Sequence, residues 1–185
     1  MWWIILLILV IAILVWWVTC YNSFVALRTH IDESWSQIDV QLQRRNDLIP
    51  NLVNTVKGYS KFESETLQKI TALRSELTNI PDDVNVNDVM KKSNELTNCL
   101  RSVFAVSENY PDLKASVTYQ QLMEELQNTE NKIAYARQLY NSTVANYDQK
   151  LQSFPDSIVG KSGHFEKRDY LKIDEKAKQV PKVEF

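Results

Sequence analysis

Hydrophobic and polar positions divide this chain into two regimes. Met1 through Val18 form an unbroken apolar run without a single charge, and beyond it apolar residues recur at steps of three and four. As a helix rising 1.5 Å per residue, the run is about 27 Å long, close to the hydrocarbon thickness of a bilayer. Trp2 and Trp3 lie at one end and Trp16 and Trp17 at the other, the headgroup level that indole rings favour, so these four are expected at the membrane interface. A cleavable signal peptide would need a basic leading segment and a small-residue cleavage site. Here no Lys or Arg precedes Arg28, and Trp16-Trp17-Val18-Thr19 is bulky. Trp17-Val18-Thr19-Cys20 is a poor lipobox, and Cys20 reads as an interfacial thiol. The pattern therefore predicts a retained single-pass transmembrane helix over residues 1–20.

The remainder predicts an elongated antiparallel bundle of four helices over residues 21–154. On the first helix the apolar positions are Phe24, Leu27, Ile31, Trp35, Ile38, Leu42, Ile49, Leu52, Val56 and Tyr59. From Trp35 they keep a heptad seam if Arg45 takes the missing place. No Pro or Gly separates the membrane run from this seam, so one continuous helix is allowed, with a kink expected at Pro50 where an amide donor is lost. Ser60-Lys61-Phe62-Glu63 has the form of a capping box opening a second helix over about 61–79. A third helix from about Asp88 carries Val89, Leu96, Leu100, Val103 and Tyr110 and stops before Pro111. The longest runs from about Tyr119 to Ser153, expected to be capped by Thr118 with Gln121. Its stripe is Tyr119, Leu122, Leu126, Thr129, Ile133, Ala136, Tyr140, Val144, Tyr147, Leu151 and Phe154. Residues 155–185 lose the period and form a C-terminal tail of low regularity. Short connections between long amphipathic helices favour antiparallel neighbours, and the fold class is all-α.

Composition narrows the functions. The 185 residues hold 44% hydrophobic and 24% charged side chains, with 3 Gly, 2 Cys and a net charge of -2. Without the apolar run the hydrophobic share falls to roughly 38%, low for a globular domain. So few glycines exclude a turn-rich sandwich or a glycine-rich phosphate loop. Two cysteines provide no disulfide framework or zinc knuckle, and the balanced charge no nucleic-acid footprint. Neither histidine, His30 nor His164, has the upstream Glu of a helical Glu-x-x-His metal site. No catalytic triad, nucleophile elbow or Walker pattern occurs. No enzyme activity, metal or cofactor is expected.

What stands out is polarity where the seam should be apolar. Arg45 occupies a seam position, with Arg44, Asp47 and Asn51 around it. Thr129 sits on the seam of the last helix, with Glu130, Asn131 and Arg137 beside it. If the first and last helices are antiparallel with Tyr59 opposite Tyr119 and Phe24 opposite Phe154, Arg45 faces Ile133, one turn from Glu130. A buried guanidinium requires a carboxylate partner, so Arg45 and Glu130 are expected to pair. Such a polar layer fixes helix register, or alternatively lines a binding pocket or a solvated groove. Cys99 beside the third seam reads as a core thiol.

Several stretches resemble the LemA family. They are Tyr21-Asn22-Ser23-Phe24-Val25-Ala26-Leu27-Arg28, the long segment from Trp35 to Val53 that includes Arg44-Arg45-Asn46-Asp47-Leu48-Ile49-Pro50-Asn51, and Thr55-Val56-Lys57-Gly58-Tyr59. Tyr110-Pro111-Asp112-Leu113-Lys114-Ala115, Thr129 through Arg137, Tyr140-Asn141, Phe154-Pro155 and Pro181-Lys182-Val183-Glu184-Phe185 continue the resemblance. Ser60-Lys61-Phe62-Glu63 lacks the His common before that Glu, and residues 79–99 are Asn-rich where relatives are often Ala-rich. The resemblance implies an N-terminally anchored bacterial membrane protein with a long helical bundle, and no particular reaction. Some members carry a lipoprotein-type Cys before the Tyr-Asn pair, which points outward, whereas Arg28 leans toward a cytoplasmic C-terminus. The two cues oppose each other and fix no side of the membrane.

Taken together, these features predict a non-enzymatic coiled-coil-like bundle at the cell membrane, partnered by the lipid bilayer and scaffolding or assembling at the envelope as a homo-oligomer. The alternatives are an adaptor for another membrane protein such as a protease, and a ligand-sensing bundle. In the adaptor case the terminal segment, with alternating apolar side chains that include Val183 and Phe185, is the kind of strand a receiving groove takes; the alternative is that Val183 and Phe185 pack on the bundle. No nucleic acid is expected among the partners.

Overall fold

Apolar run and first seam lie on a single helix. In the computed structural model, which describes residues 1–58, 64–81 and 84–172, α1 extends over Trp2–Lys57 without interruption. It is followed by α2 (Ser64–Thr78), α3 (Val86–Ser107), a short α4 (Pro111–Lys114), the long α5 (Val117–Gln152) and a short α6 (Asp156–Ser162). No strand occurs among the described residues. The seams predict α1, α2, α3 and α5, whereas α4 and α6 are too short to carry a period. The chain divides into two compact units: residues 1–37 with 136–170, and residues 38–135 with the chain from Leu171.

The core of the second unit is built from one stripe per helix. Ile49, Leu52 and Val56 of α1 join Leu67, Ile70 and Leu73 of α2, Leu96, Leu100 and Val103 of α3, Leu113 of α4, and Tyr119 and Leu126 of α5. Steps of three and four keep these side chains on one face of each helix, and burying that face drives assembly. Helix ends follow local chemistry. Asn85 caps α3 by accepting from the Asn87 amide at 2.8 Å, and Asn87 Oδ1 in turn accepts from the Lys172 amide at 3.2 Å. Pro111 opens α4, where its missing N–H is no loss. α5 begins earlier than its expected Thr118 cap: the Gln120 amide already donates to the Ser116 carbonyl at 3.0 Å. The Ser60–Glu63 capping box and Tyr59 lie outside the described residues.

Pro50 lies inside α1 and does not end it. A proline cannot donate to the carbonyl four residues earlier, here that of Asn46, a residue buried in the core. That carbonyl instead accepts from Nε of Arg74 on α2 at 3.0 Å. The guanidinium supplies the hydrogen bond that proline removes and ties α2 to α1 where the ladder is open. Arg74→Met is expected to cost about 1.5–3 kcal/mol, the range for a hydrogen bond to a charged group. In a Pro50→Ala background, where the amide returns, the same change should cost well under 1 kcal/mol. Denaturant unfolding of the four variants in detergent measures the coupling.

In the first unit α1 and α5 are antiparallel. Trp35 meets Tyr140 edge-on with ring centroids 6.1 Å apart, Ser34 Oγ lies 3.4 Å from Thr143 Oγ1, and Phe24 meets Tyr147 at 6.2 Å. The expected pairing of Phe24 with Phe154 does not form. Phe154 is 84% exposed, and Phe24 stacks instead on Phe165 at 5.0 Å. The reason lies after the cis Phe154–Pro155 bond, where the chain turns back into α6 and covers Phe24 from its other side. Gly160 gives that helix room: a Cβ there would come within 2.7 Å of Leu151 Cδ1 and 3.4 Å of Phe24 Cζ. α6 ends in a Schellman turn, the Phe165 amide bonding the Gly160 carbonyl at 3.0 Å and the His164 amide that of Lys161 at 3.3 Å. His164 takes the left-handed position of this turn, φ 53°. Gly163 precedes it because a Cβ there would strike the Phe165 ring at 2.6 Å.

Two tyrosines of α5 hold the segment that follows. The Tyr147 hydroxyl donates to the Glu166 carbonyl at 2.9 Å and that of Tyr140 to the Asp169 carbonyl at 3.3 Å. Burial pushes both hydroxyls above their usual range, with Arg168 pulling the other way. A folded-state pKa above the unfolded value contributes stability in full below about pH 10, lost as pH rises through the folded values. Alkaline titration should therefore release residues 165–170 before α5 melts, read by amide hydrogen exchange. Tyr147→Phe should cost about 1 kcal/mol at neutral pH and reduce the alkaline loss.

Candidate functional site

Arg45 fills the seam position between Leu42 and Ile49 and is 1% exposed. Its Nη2 donates to Ser93 Oγ at 2.6 Å and to the Ser93 carbonyl at 3.3 Å. Its Nη1 donates to Thr97 Oγ1 at 2.8 Å and to Glu130 Oε2 at 3.1 Å. Thr97 Oγ1 itself lies 3.1 Å from both the Ser93 carbonyl and Glu130 Oε2, and its single proton serves one of them at a time. Three helices thus meet at one cation: α1 brings the charge, α3 the hydroxyls and a carbonyl, α5 the carboxylate. The Glu130 side chain is 31% exposed, so the layer is dry at Arg45 and wet at its carboxylate edge. Thr129, buried beside it, returns its hydroxyl to the Leu126 carbonyl at 2.8 Å.

Arg44, Asp47, Asn51 and Asn131 make their bonds outside this cluster. Arg44 pairs with Glu125 at 2.6 Å across an exposed flank. Asp47 Oδ1 accepts from Gln43 Nε2 at 3.2 Å, also on the exterior. Asn51 is exposed, its carbonyl taking the Thr55 hydroxyl at 2.8 Å, and Asn131 Oδ1 accepts from Gln127 Nε2 at 3.4 Å on the outer face of α5. Arg137 belongs to the first unit. The grouping expected from sequence is therefore narrower in space, with Arg45 and Glu130 at its centre. Ser93 and Thr97 complete it, and sequence reasoning missed both. A signal was present: between Val89 and Leu96 the third seam lacks an apolar residue at the intervening step of three or four, and Ser93 stands in that gap.

Chemically the layer holds a permanent cation against a carboxylate and two hydroxyls. Arginine neither accepts nor releases a proton near neutrality, so the arrangement orients helices rather than moving protons. Among the described residues no set of three or more His, Cys, Asp or Glu is placed to hold a metal ion. In the first unit a shallow groove of about 290 Å³ lies between Arg28, Tyr147 and the 164–168 segment. Its charges are mixed: Lys167 and Arg168 stand with Glu166, and Arg168 Nη2 lies 3.8 Å from Asp32 Oδ1.

Trp2 and Trp3 are exposed at the start of α1, while Trp16 and Trp17 are half-buried and meet edge-on at 6.3 Å. Between them the large apolar side chains of the run are exposed, on a helix long and apolar enough to cross a membrane. Val183 and Phe185 lie outside the described residues.

The LemA family model matches residues 34–185. A LemA protein of Metamycoplasma hominis is 30% identical over 138 residues, 75% of this chain and 62% of that protein. A magnetosome protein, MamQ, of Magnetospirillum gryphiswaldense is 22% identical over 174 residues, and MamQ 2 of Paramagnetospirillum magneticum is 23% identical over the same length. Each MamQ match covers 82% of this chain and 64% of the relative, so the chain spans less than two thirds of these curated relatives. With a match over most of its length and an exposed apolar helix of bilayer length, this all-helical, membrane-associated chain belongs to the LemA family.

Proposed function

We propose that this protein is a non-enzymatic, single-pass membrane anchor and helical bundle that scaffolds the cell envelope by associating with further copies of itself. The observation that carries the proposal is α1 itself. One helix bears both an exposed apolar run and, beyond it, buried seam residues belonging to each unit. Both terminal nitrogens of Arg45 are bonded from within the chain, to Ser93, Thr97 and Glu130, which favours a device for holding helices in register over a pocket awaiting a ligand. The names of the similar proteins state no reaction. In the second unit Val40 and Tyr135 stay exposed, Tyr135 at 69%, and offer apolar surface to a neighbour.

Light scattering of the detergent-purified full chain tests self-association, with a mass of two or more chains expected after subtraction of the detergent. A monomer across the accessible concentration range would overturn it. Crosslinking in native membranes adds the second arm: products joining copies of this chain support scaffolding, whereas products joining it only to a different membrane protein would replace that role with an adaptor's.

A further inference from the structure

Within the first unit, the descent of α5 toward the membrane-spanning run can be followed pair by pair. Tyr140 lies against Trp35 and Tyr147 against Phe24. Five residues further, at 1.5 Å each, the end of α5 at Gln152 has moved about 7.5 Å closer to the apolar run, to the level of Thr19. Beyond the turn a direct bond fixes the height: the Cys20 thiol donates to Asp156 Oδ1 at 3.2 Å. Cys20 is two residues past Val18, about 3 Å of helix rise. The headgroup layer on each side of the hydrocarbon is about 5–7 Å thick. The chain then climbs away, Gly160 passing Phe24. The turn at Phe154–Pro155 is therefore the point of the α5–α6 arm nearest the membrane.

What that turn presents is apolar. Phe154 is 84% exposed and Ile158, on the first turn of α6, is 49% exposed. Neither covers the core, since Phe165 has taken the place beside Phe24. The nearby acid is already engaged: Asp156 accepts from Cys20 and lies 3.4 Å from Lys150 Nζ. With Lys150 and Asp156 paired, Lys161 on α6 adds positive charge beside the turn, as suits a surface of anionic headgroups. We propose that the Phe154–Ile158 turn is a second, non-spanning membrane contact, with Phe154 and Ile158 inserted into the headgroup–acyl boundary of the leaflet that α1 leaves. The inference rests on the assignment of the apolar run as a membrane span. It adds that the α5–α6 arm closes onto the lipid surface rather than standing free in water.

Spin labels on single introduced cysteines test this in the full chain, because the native Cys20 and Cys99 are buried. Three sites are compared in vesicles of phosphatidylcholine with a minor fraction of phosphatidylglycerol. Leu9→Cys reports the span, Glu33→Cys reports water on the same helix, and Phe154→Cys reports the turn. Collision with dissolved oxygen is expected to dominate over collision with a water-soluble nickel chelate at positions 9 and 154, and the reverse at 33. Adding Ile158→Asp should shift the label at 154 toward the chelate. A label that reads as lipid at 9 and as water at 154 would overturn the contact and leave the anchor standing. A label that reads as water at 9 would overturn the anchor, and the contact with it.

Discussion

Glu130→Ala is expected to lower the unfolding free energy by about 3 kcal/mol, the lower end of the range for breaking a buried ion pair. The lower end applies because Glu130 keeps 31% of its side chain in water while Arg45 has almost none. Removing the carboxylate takes the Glu130 charge from a guanidinium in a dry position and leaves it the hydroxyl and carbonyl partners from α3. Most of the loss is thus a penalty on Arg45 rather than the worth of the pair. Arg45→Met, which keeps the length of the side chain and removes the charge, should fall within about 1 kcal/mol of the parent, as replacement of buried ions by apolar groups often does. In the double variant Glu130→Ala should cost almost nothing further. Denaturant unfolding of the four chains closes the cycle, and a loss below about 1 kcal/mol for Glu130→Ala alone would show that water reaches the guanidinium.

In the first unit the largest effect is expected from Phe24→Ala, at about 3–5 kcal/mol. Phe24 is fully buried between α1, α5 and α6, stacked on Phe165, edge-on to Tyr147, and capped by Lys150 Nζ 5.5 Å above its ring. Little can collapse into the space from the two rings or from α6: Gly160 has no side chain to offer, and Tyr147 and Phe165 are pinned by the backbone bonds at Glu166 and Gly160. Because the chain forms two compact units, the change need not lower a single global transition. Hydrogen exchange should show the loss concentrated in α6 and residues 163–170, with α2 and α3 protected as before. Equal loss of protection in α2 and α3 would mean that the two units unfold together.

The long elements were legible because their burial repeats. Phe24, Ile31, Ile38, Leu42, Ile49, Leu52 and Val56 on α1, and Tyr119 through Tyr147 on α5, are buried where the seam placed them. The Arg45–Glu130 pair was legible for a different reason. A charge on a seam needs an opposite charge nearby, and antiparallel register left few candidates. What the pattern did not carry were contacts made without a period. Phe165 displaces Phe154 through a Schellman turn whose geometry depends on Gly163 and a left-handed His164, and no spacing rule anticipates that substitution. Likewise Arg74 finds the Asn46 carbonyl only because Pro50 has left it open. Ser93 was readable as a missing apolar step, yet its place beside Arg45 came only from packing α3 against α1.

On the proposal that the apolar run spans the bilayer, the uninterrupted α1 also makes bilayer thickness a mechanical variable for this protein. A helix whose apolar length differs from the hydrocarbon thickness answers by tilting. Here no proline or glycine between Trp2 and Phe24 can absorb that tilt as a bend. The lean imposed on the run arrives undiminished at Cys20 and Phe24, where it loads the Cys20–Asp156 bond and the Phe24–Phe165 stack. A thinner or thicker membrane is thereby felt as sideways strain inside the first unit.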